Sequence, residues 1–186
     1  MRIVAGRFRG RPLQAPEGTA VRPTGDRTRE ALFGILEGGR LTGGDSPLPG
    51  ALVLDAFAGT GALGLEALSR GAGEVVFIER LAPALTALQE NIAVLGAEKE
   101  TRVLDRDALH PPPAERPADI ALMDPPYQQG LAQPALVALR AAGWIGPDSL
   151  IALELMKAED FAAPEGFGVL DERVYGKARL VFLKPA

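Results

Sequence analysis

Residues 51–79, ALVLDAFAGTGALGLEALSRGAGEVVFIE, form one strand–turn–helix–strand unit, and their reading sets the fold class. Ala51 to Phe57 is a short apolar run of strand length. Ala62 to Arg70 has helical character and stops at Gly71, and Glu74 to Glu79 is a second buried strand. Between strand and helix, Gly59, Gly61 and Gly64 satisfy G-x-G-x-x-G, a turn that brings backbone close to a bound ligand. Glu79 follows Gly59 by twenty residues, where a carboxylate can accept hydrogen bonds from ribose hydroxyls. Both NAD and S-adenosylmethionine (SAM) carry an adenosine that suits this arrangement. Asp55, four residues before Gly59, favours SAM. A pyrophosphate beside it would be repelled, whereas SAM has no phosphate and carries an ammonium. A dinucleotide, or a tight turn without any nucleotide, stays open on this stretch alone.

Outward from the unit, strand and helix keep alternating. Pro83 suits the first turn of a helix with Leu85, Leu88, Ile92 and Leu95 as its stripe and Gly96 as its stop. Thr101–Leu104, Asp119–Met123 and Leu150–Leu155 read as strands, and Ala135–Ala142 as a helix. Val169–Tyr175 and Ala178–Leu183 read as an antiparallel pair around Gly176-Lys177. The order predicts an α/β fold: a mostly parallel sheet with helices on both faces and ligands at the carboxyl ends of its strands.

The strand Asp119–Met123 runs into Asp124-Pro125-Pro126-Tyr127, 65 residues after Gly59. D-P-P-Y at that place resembles the amino-methyltransferase motif, and its residues suit that chemistry. An exocyclic amine is a poor nucleophile because its lone pair is delocalised into the π-system. Asp124 can accept one N–H and the Pro125 carbonyl the other, with Pro126 stiffening the turn. Tyr127 offers a face for stacking a base. Positioning for in-line displacement then supplies most of the catalysis. An NAD oxidoreductase leaves this tetrapeptide unexplained, and an inactive RNA-binding module does not need it.

Composition narrows the rest. The chain has 186 residues and no cysteine, which excludes disulfides, thiolate metal sites and a cysteine nucleophile. One histidine, His110, precedes three prolines, so no multi-histidine metal site is expected and no metal is assigned. No apolar run reaches the roughly 18 residues of a membrane span, and the N-terminus lacks a signal-peptide pattern. A cytoplasmic protein with no membrane partner is expected.

Charge is uneven. The first thirty residues hold seven arginines against three acidic residues, although the whole chain is net −4. Arg2–Ala5 and Pro12–Ala15 read as strands of a hairpin, and Thr24–Leu36 as a helix with Asp26 a possible N-cap. Residues 1–42 thus form a basic extension, Gly43–Gly50 a connector, and residues 51–186 the catalytic domain. Arg7, Arg9, Arg11, Arg22, Arg27 and Arg29, with Lys177 in the last hairpin turn, are the candidate phosphate contacts.

RIVAGRFRGRPL near the N-terminus, RPTGDRTREALF (Arg22–Phe33), LDAFAGTGALGLEALSRGA (Leu54–Ala72) and the D-P-P-Y together resemble the RsmD family of 16S ribosomal RNA guanine-N2 methyltransferases. The resemblance covers almost the whole chain. It implies a Rossmann-like class I methyltransferase: seven strands, mostly parallel, a C-terminal antiparallel hairpin and a small N-terminal hairpin and helix. It implies SAM as donor and guanine N2 as acceptor, within 16S rRNA of the small ribosomal subunit; apart from the resemblance, a monomer is expected. Adenine N6 is the alternative acceptor, because D-P-P-Y does not distinguish bases. It also implies Asp55, Phe57, Gly59, Gly61, Glu79, Arg80, Asp107 and Ala108 as cofactor contacts, with Asp105 competing for the role of Asp107.

Overall fold

A computed structural model describes residues 1–16 and 25–186. Seven strands form one sheet: β1 (Leu52–Ala56), β2 (Glu74–Glu79), β3 (Thr101–Asp105), β4 (Ala118–Met123), β5 (Ile145–Met156), β6 (Phe167–Tyr175) and β7 (Ala178–Pro185). Their spatial order is β3-β2-β1-β4-β5-β7-β6. The first five are parallel, while β7 runs antiparallel between β5 and β6. This is the Rossmann-like class I methyltransferase fold. The strand order reverses at β1 and β4, so their carboxyl ends open a crevice for a ligand.

The helices are α1 (Asp26–Glu37), α2 (Ala62–Ser69), α3 (Ala82–Leu95) and α4 (Ala132–Ala141). One core lies under α1, α2 and α3, where Leu36, Leu65 and Leu88 meet Val53, Phe77 and Leu122 of the sheet. The other lies under α4, where Leu136 and Leu139 meet Leu54, Met123 and Leu153. Helix α4 starts three residues earlier than the sequence suggests, because Pro134 fits a first turn whose N–H groups need no intrahelical partner.

The N-terminal stretch joins the first core: Ile3, Leu13, Leu32 and Phe33 are buried against it. Its two expected strands reduce to a single bridge between Arg2 and Pro12. The reason is competition for backbone donors. Val4 and Ala5 donate their N–H groups to the Glu66 carboxylate of α2 at 2.8 and 2.9 Å, and Phe8 donates to Ser69 Oγ at 2.9 Å. Those amides therefore hold the loop to α2 instead of a neighbouring strand. Gly25, not Asp26, is the N-cap of α1; Asp26 is its first residue and accepts from Arg29. The expected start at Thr24, and Arg22, lie outside the described residues.

Candidate active site

Strand β1 ends in a left-handed turn. Phe57 has φ 63°, a conformation rare for a non-glycine residue and found chiefly where a site demands it. Gly59 follows at φ 56° and Gly61 at φ 82°. The turn is clamped by carboxylates of the strand ends. Asp55 Oδ2 accepts the Gly64 N–H at 2.8 Å, and Glu79 Oε2 accepts the Gly59 N–H at 2.7 Å. Glu79 Oε1 also accepts from Arg80 and Leu81 N–H, both at 2.8 Å. Three backbone donors thus orient Glu79 and leave acceptor capacity for one further hydroxyl.

Beyond the turn opens a cavity of about 790 Å³. Its wall includes Asp55, Phe57, Gly59, Glu79, Arg80, Asp107, Ala108, Asp124, Pro125, Pro126 and Tyr127, which brings both sequence motifs to one space. Of the two aspartates Asp105 and Asp107, Asp107 lines the cavity, held by the Leu109 N–H at 2.9 Å and Arg80 Nη1 at 2.9 Å. Asp105 is exposed at the end of β3 and is not part of that wall.

Gly61 lies at the start of α2, as its N-cap. It is not part of the cavity wall; a Cβ there would lie 2.3 Å from Leu88 Cδ1. Its lack of a side chain serves the packing of α2 and α3. Gly64 likewise allows α2 to lie on Phe77 and Val75.

The site is electronegative. Asp55 is 1% exposed, and burial pushes its carboxyl well above the usual carboxylate range. The Gly64 N–H opposes that shift, and the negative charges of Asp124 and Glu79 add to it. A cationic ligand relieves this crowding, whereas a pyrophosphate would worsen it. The cavity size and its acidic residues Asp55, Glu79, Asp107 and Asp124 therefore fit SAM.

Asp124 follows the last residue of β4 and is half-buried. The Tyr127 hydroxyl donates to Glu154 Oε1 of β5 at 2.7 Å, which fixes the ring at the cavity edge. Glu154, 2% exposed, was not among the sequence candidates. Its signal was a lone acid in the apolar strand segment LIALELM (Leu150–Met156), and Glu66 in ALGLEALS gives the same signal on α2.

The arginines divide. Arg9, Arg11 and Arg27 are exposed, as is Lys177 between β6 and β7. Arg7 is exposed and paired with Glu100 at 2.8 Å. Arg29 is corrected as a candidate for RNA: it is 0% exposed. It donates to the Arg2 carbonyl and Asp26 Oδ1, both at 2.7 Å, and stands 3.6 Å from Glu66 Oε2. Its charge neutralises a buried carboxylate of its own chain.

A family model described as Conserved hypothetical protein 95 matches residues 1–184. Ribosomal RNA small subunit methyltransferase D of Haemophilus influenzae is 34% identical over 180 residues, covering 95% of this chain and 89% of that protein. The protein of the same name from Escherichia coli is 37% identical over 155 residues, covering 83% and 74%. The solved structure of yhhF, a candidate methyltransferase from Escherichia coli, superposes with a TM-score of 0.81 at 33% identity, covering 100% of this chain and 97% of that one.

Proposed function

We propose, from the premise that this chain belongs to the Conserved hypothetical protein 95 (RsmD) family, that it methylates the exocyclic N2 amine of a guanine in 16S rRNA of the small ribosomal subunit. It uses SAM, without a metal, and works as a cytoplasmic monomer. The observation that carries the reading is the meeting of D-P-P-Y with the glycine turn in one acidic cavity.

Glu79 would hold the ribose, Asp107 and the Ala108 N–H the adenine edge, and Asp55 with the Phe57–Gly59 backbone the methionine portion. Arg80 braces Asp107. When bound, SAM supplies an electrophilic sulfonium methyl. The protein's task is to present the amine. Asp124 accepts one N–H and the Pro125 carbonyl the other, turning the nitrogen lone pair out of conjugation. The Asp124 carboxylate also stabilises positive charge as it builds on nitrogen. Tyr127, its ring fixed through Glu154, stacks on the base, which must leave its helix to arrive there. Arg7, Arg9, Arg11, Arg27 and Lys177 offer exposed charge for phosphates, and Arg22 is kept as a sequence candidate.

The test is transfer of a radiolabelled methyl group from SAM to small subunits from cells lacking the protein, followed by nucleoside analysis. N2-methylguanosine is expected. N6-methyladenosine instead, or no transfer, would overturn the reading.

A further inference from the structure

The chain has two tyrosines, Tyr127 and Tyr175, and both line a second, smaller cavity of about 180 Å³. Its wall also takes in Thr28 of α1, Glu154 of β5, and Lys177 and Ala178 at the β6–β7 turn. Tyr127 lines the larger cavity as well, so the two spaces share that residue as a wall. The smaller volume suits one nucleobase better than a whole nucleotide.

The strand register aims Tyr175 into it. Tyr175 of β6 pairs with Ala178 of β7, and Arg173 pairs with Leu180. Leu180 packs into the first core, under α1. Side chains two apart on a strand share a face, so Ala178, and Tyr175 opposite it, lie on the α1 side of the sheet. Ala178 is buried there, whereas Tyr175 is 38% exposed, so the sheet holds the ring at the rim with part of its surface in solvent. Gly176 turns the chain at φ 59°, and the Lys157 N–H donates to the Lys177 carbonyl at 2.7 Å, which ties the turn to the end of β5. Lys157 and Lys177 are both exposed, as is Arg27, the residue before Thr28 on α1. The acids at this rim are engaged: Asp26 accepts from Arg29, and Glu154 accepts from the Tyr127 hydroxyl. A ring fixed on a strand and flanked by cations is the arrangement that binds unstacked nucleic acid.

Base flipping gives a second aromatic something to do. A base that leaves its stack to enter the larger cavity strips one face of the base next to it. An aromatic ring restores that lost stacking, and every base has such a face to offer. We propose that Tyr175 stacks on the nucleotide adjacent to the target, whose base occupies the smaller cavity while the target base stands in the larger one. Lys177, at the same turn, is placed for a phosphate of that nucleotide. The assignment rests on the RNA-methylating reading above and adds to it a binding residue and a second base subsite.

The test uses small subunits reconstituted with RNA that lacks the base on the 5′ or the 3′ side of the methylated nucleotide. Removing the base on one side should lower kcat/KM of the wild-type protein by about 5- to 150-fold, the range for one base stacked on an aromatic ring, and removing the other should matter less. Tyr175→Ala should lose a similar factor on intact subunits while binding S-adenosylhomocysteine normally, and Tyr175→Phe, which keeps the ring, should recover it. On subunits lacking the stacked base, Tyr175→Ala should cost nothing further, because its partner is already gone. Wild-type rates that depend on neither neighbouring base overturn the assignment, whatever the stability of the variants. Full activity in Tyr175→Ala does the same. So does a loss in that variant that is equal with and without the neighbouring base, which would set the ring against another part of the particle. An absence of methyl transfer to intact subunits by the wild-type protein overturns the underlying reading as well.

Discussion

The carboxylate of Glu66, buried within α2, accepts the N–H of Val4 at 2.8 Å and so ties the N-terminal loop to the helix that follows the glycine turn. The same carboxylate accepts from Ala5 and Arg70 and stands near Arg29. The basic loop and the cofactor turn are therefore mounted on one element. Removing the charge leaves Arg29 buried beside a neutral group. Glu66→Ala should lower the unfolding free energy by about 3–5 kcal/mol, the cost of breaking a buried pair from one side. Denaturant titration measures the loss, and amide exchange at Val4 and Ala5 should quicken with it.

Asp124→Ala should lower the methyl-transfer rate by roughly 10²–10³-fold, the scale of a lost hydrogen bond that acts in the transition state. SAM affinity should stay within a few-fold, because the side chain is assigned to the acceptor amine. Single-turnover kinetics beside calorimetric SAM binding separate the two. Full activity would refute the assignment, and a large loss of SAM binding would move Asp124 to the cofactor.

Gly61→Ala should destabilise the protein before any ligand is added. The new Cβ would meet Leu88 Cδ1 at 2.3 Å on a backbone with φ 82°. Overpacking of this kind costs about 1–3 kcal/mol. Adding Leu88→Ala relieves the contact but not the φ, so thermal unfolding should show partial rescue. A ligand-free stability equal to the wild type would show that packing against Leu88 does not demand a glycine at position 61.

Asp55 makes stability depend on pH. Its carboxyl is raised by burial, so the folded state keeps a proton that the unfolded state has already released. The unfolding free energy should therefore fall as pH rises from the ordinary aspartate range toward the raised value. Asp55→Asn cannot titrate and should lose that part of the slope. Urea titrations across this pH window, on both proteins without ligand, would expose an error of sign.

Arg7, Arg9 and Arg11 are exposed, so replacing all three by alanine should flatten the salt dependence of small-subunit binding. The log–log slope should change by up to roughly 0.7–0.9 per lost phosphate contact. SAM binding should be unchanged, because none of the three lines the cofactor cavity. Filter binding across a salt series measures it, and identical slopes would leave these arginines as solvated charge.

Sequence alone determined the alternation of strands and helices, the turn after β1 and the place of D-P-P-Y at a strand end. Each is written in neighbouring residues: apolar period, glycines that permit left-handed backbone, prolines that end a strand. The partners of charged side chains are not written locally, and the tertiary structure decided them. Arg29 looks like its neighbours in a basic segment, yet packing of α1 on α2 buries it against Glu66. Glu154 lies 27 residues beyond Tyr127 and reaches it because β4 and β5 pair in a register that brings the two chain segments together. An ionised group is expensive to bury alone, so the fold must supply its partner across the chain, and only the packed arrangement reveals which one.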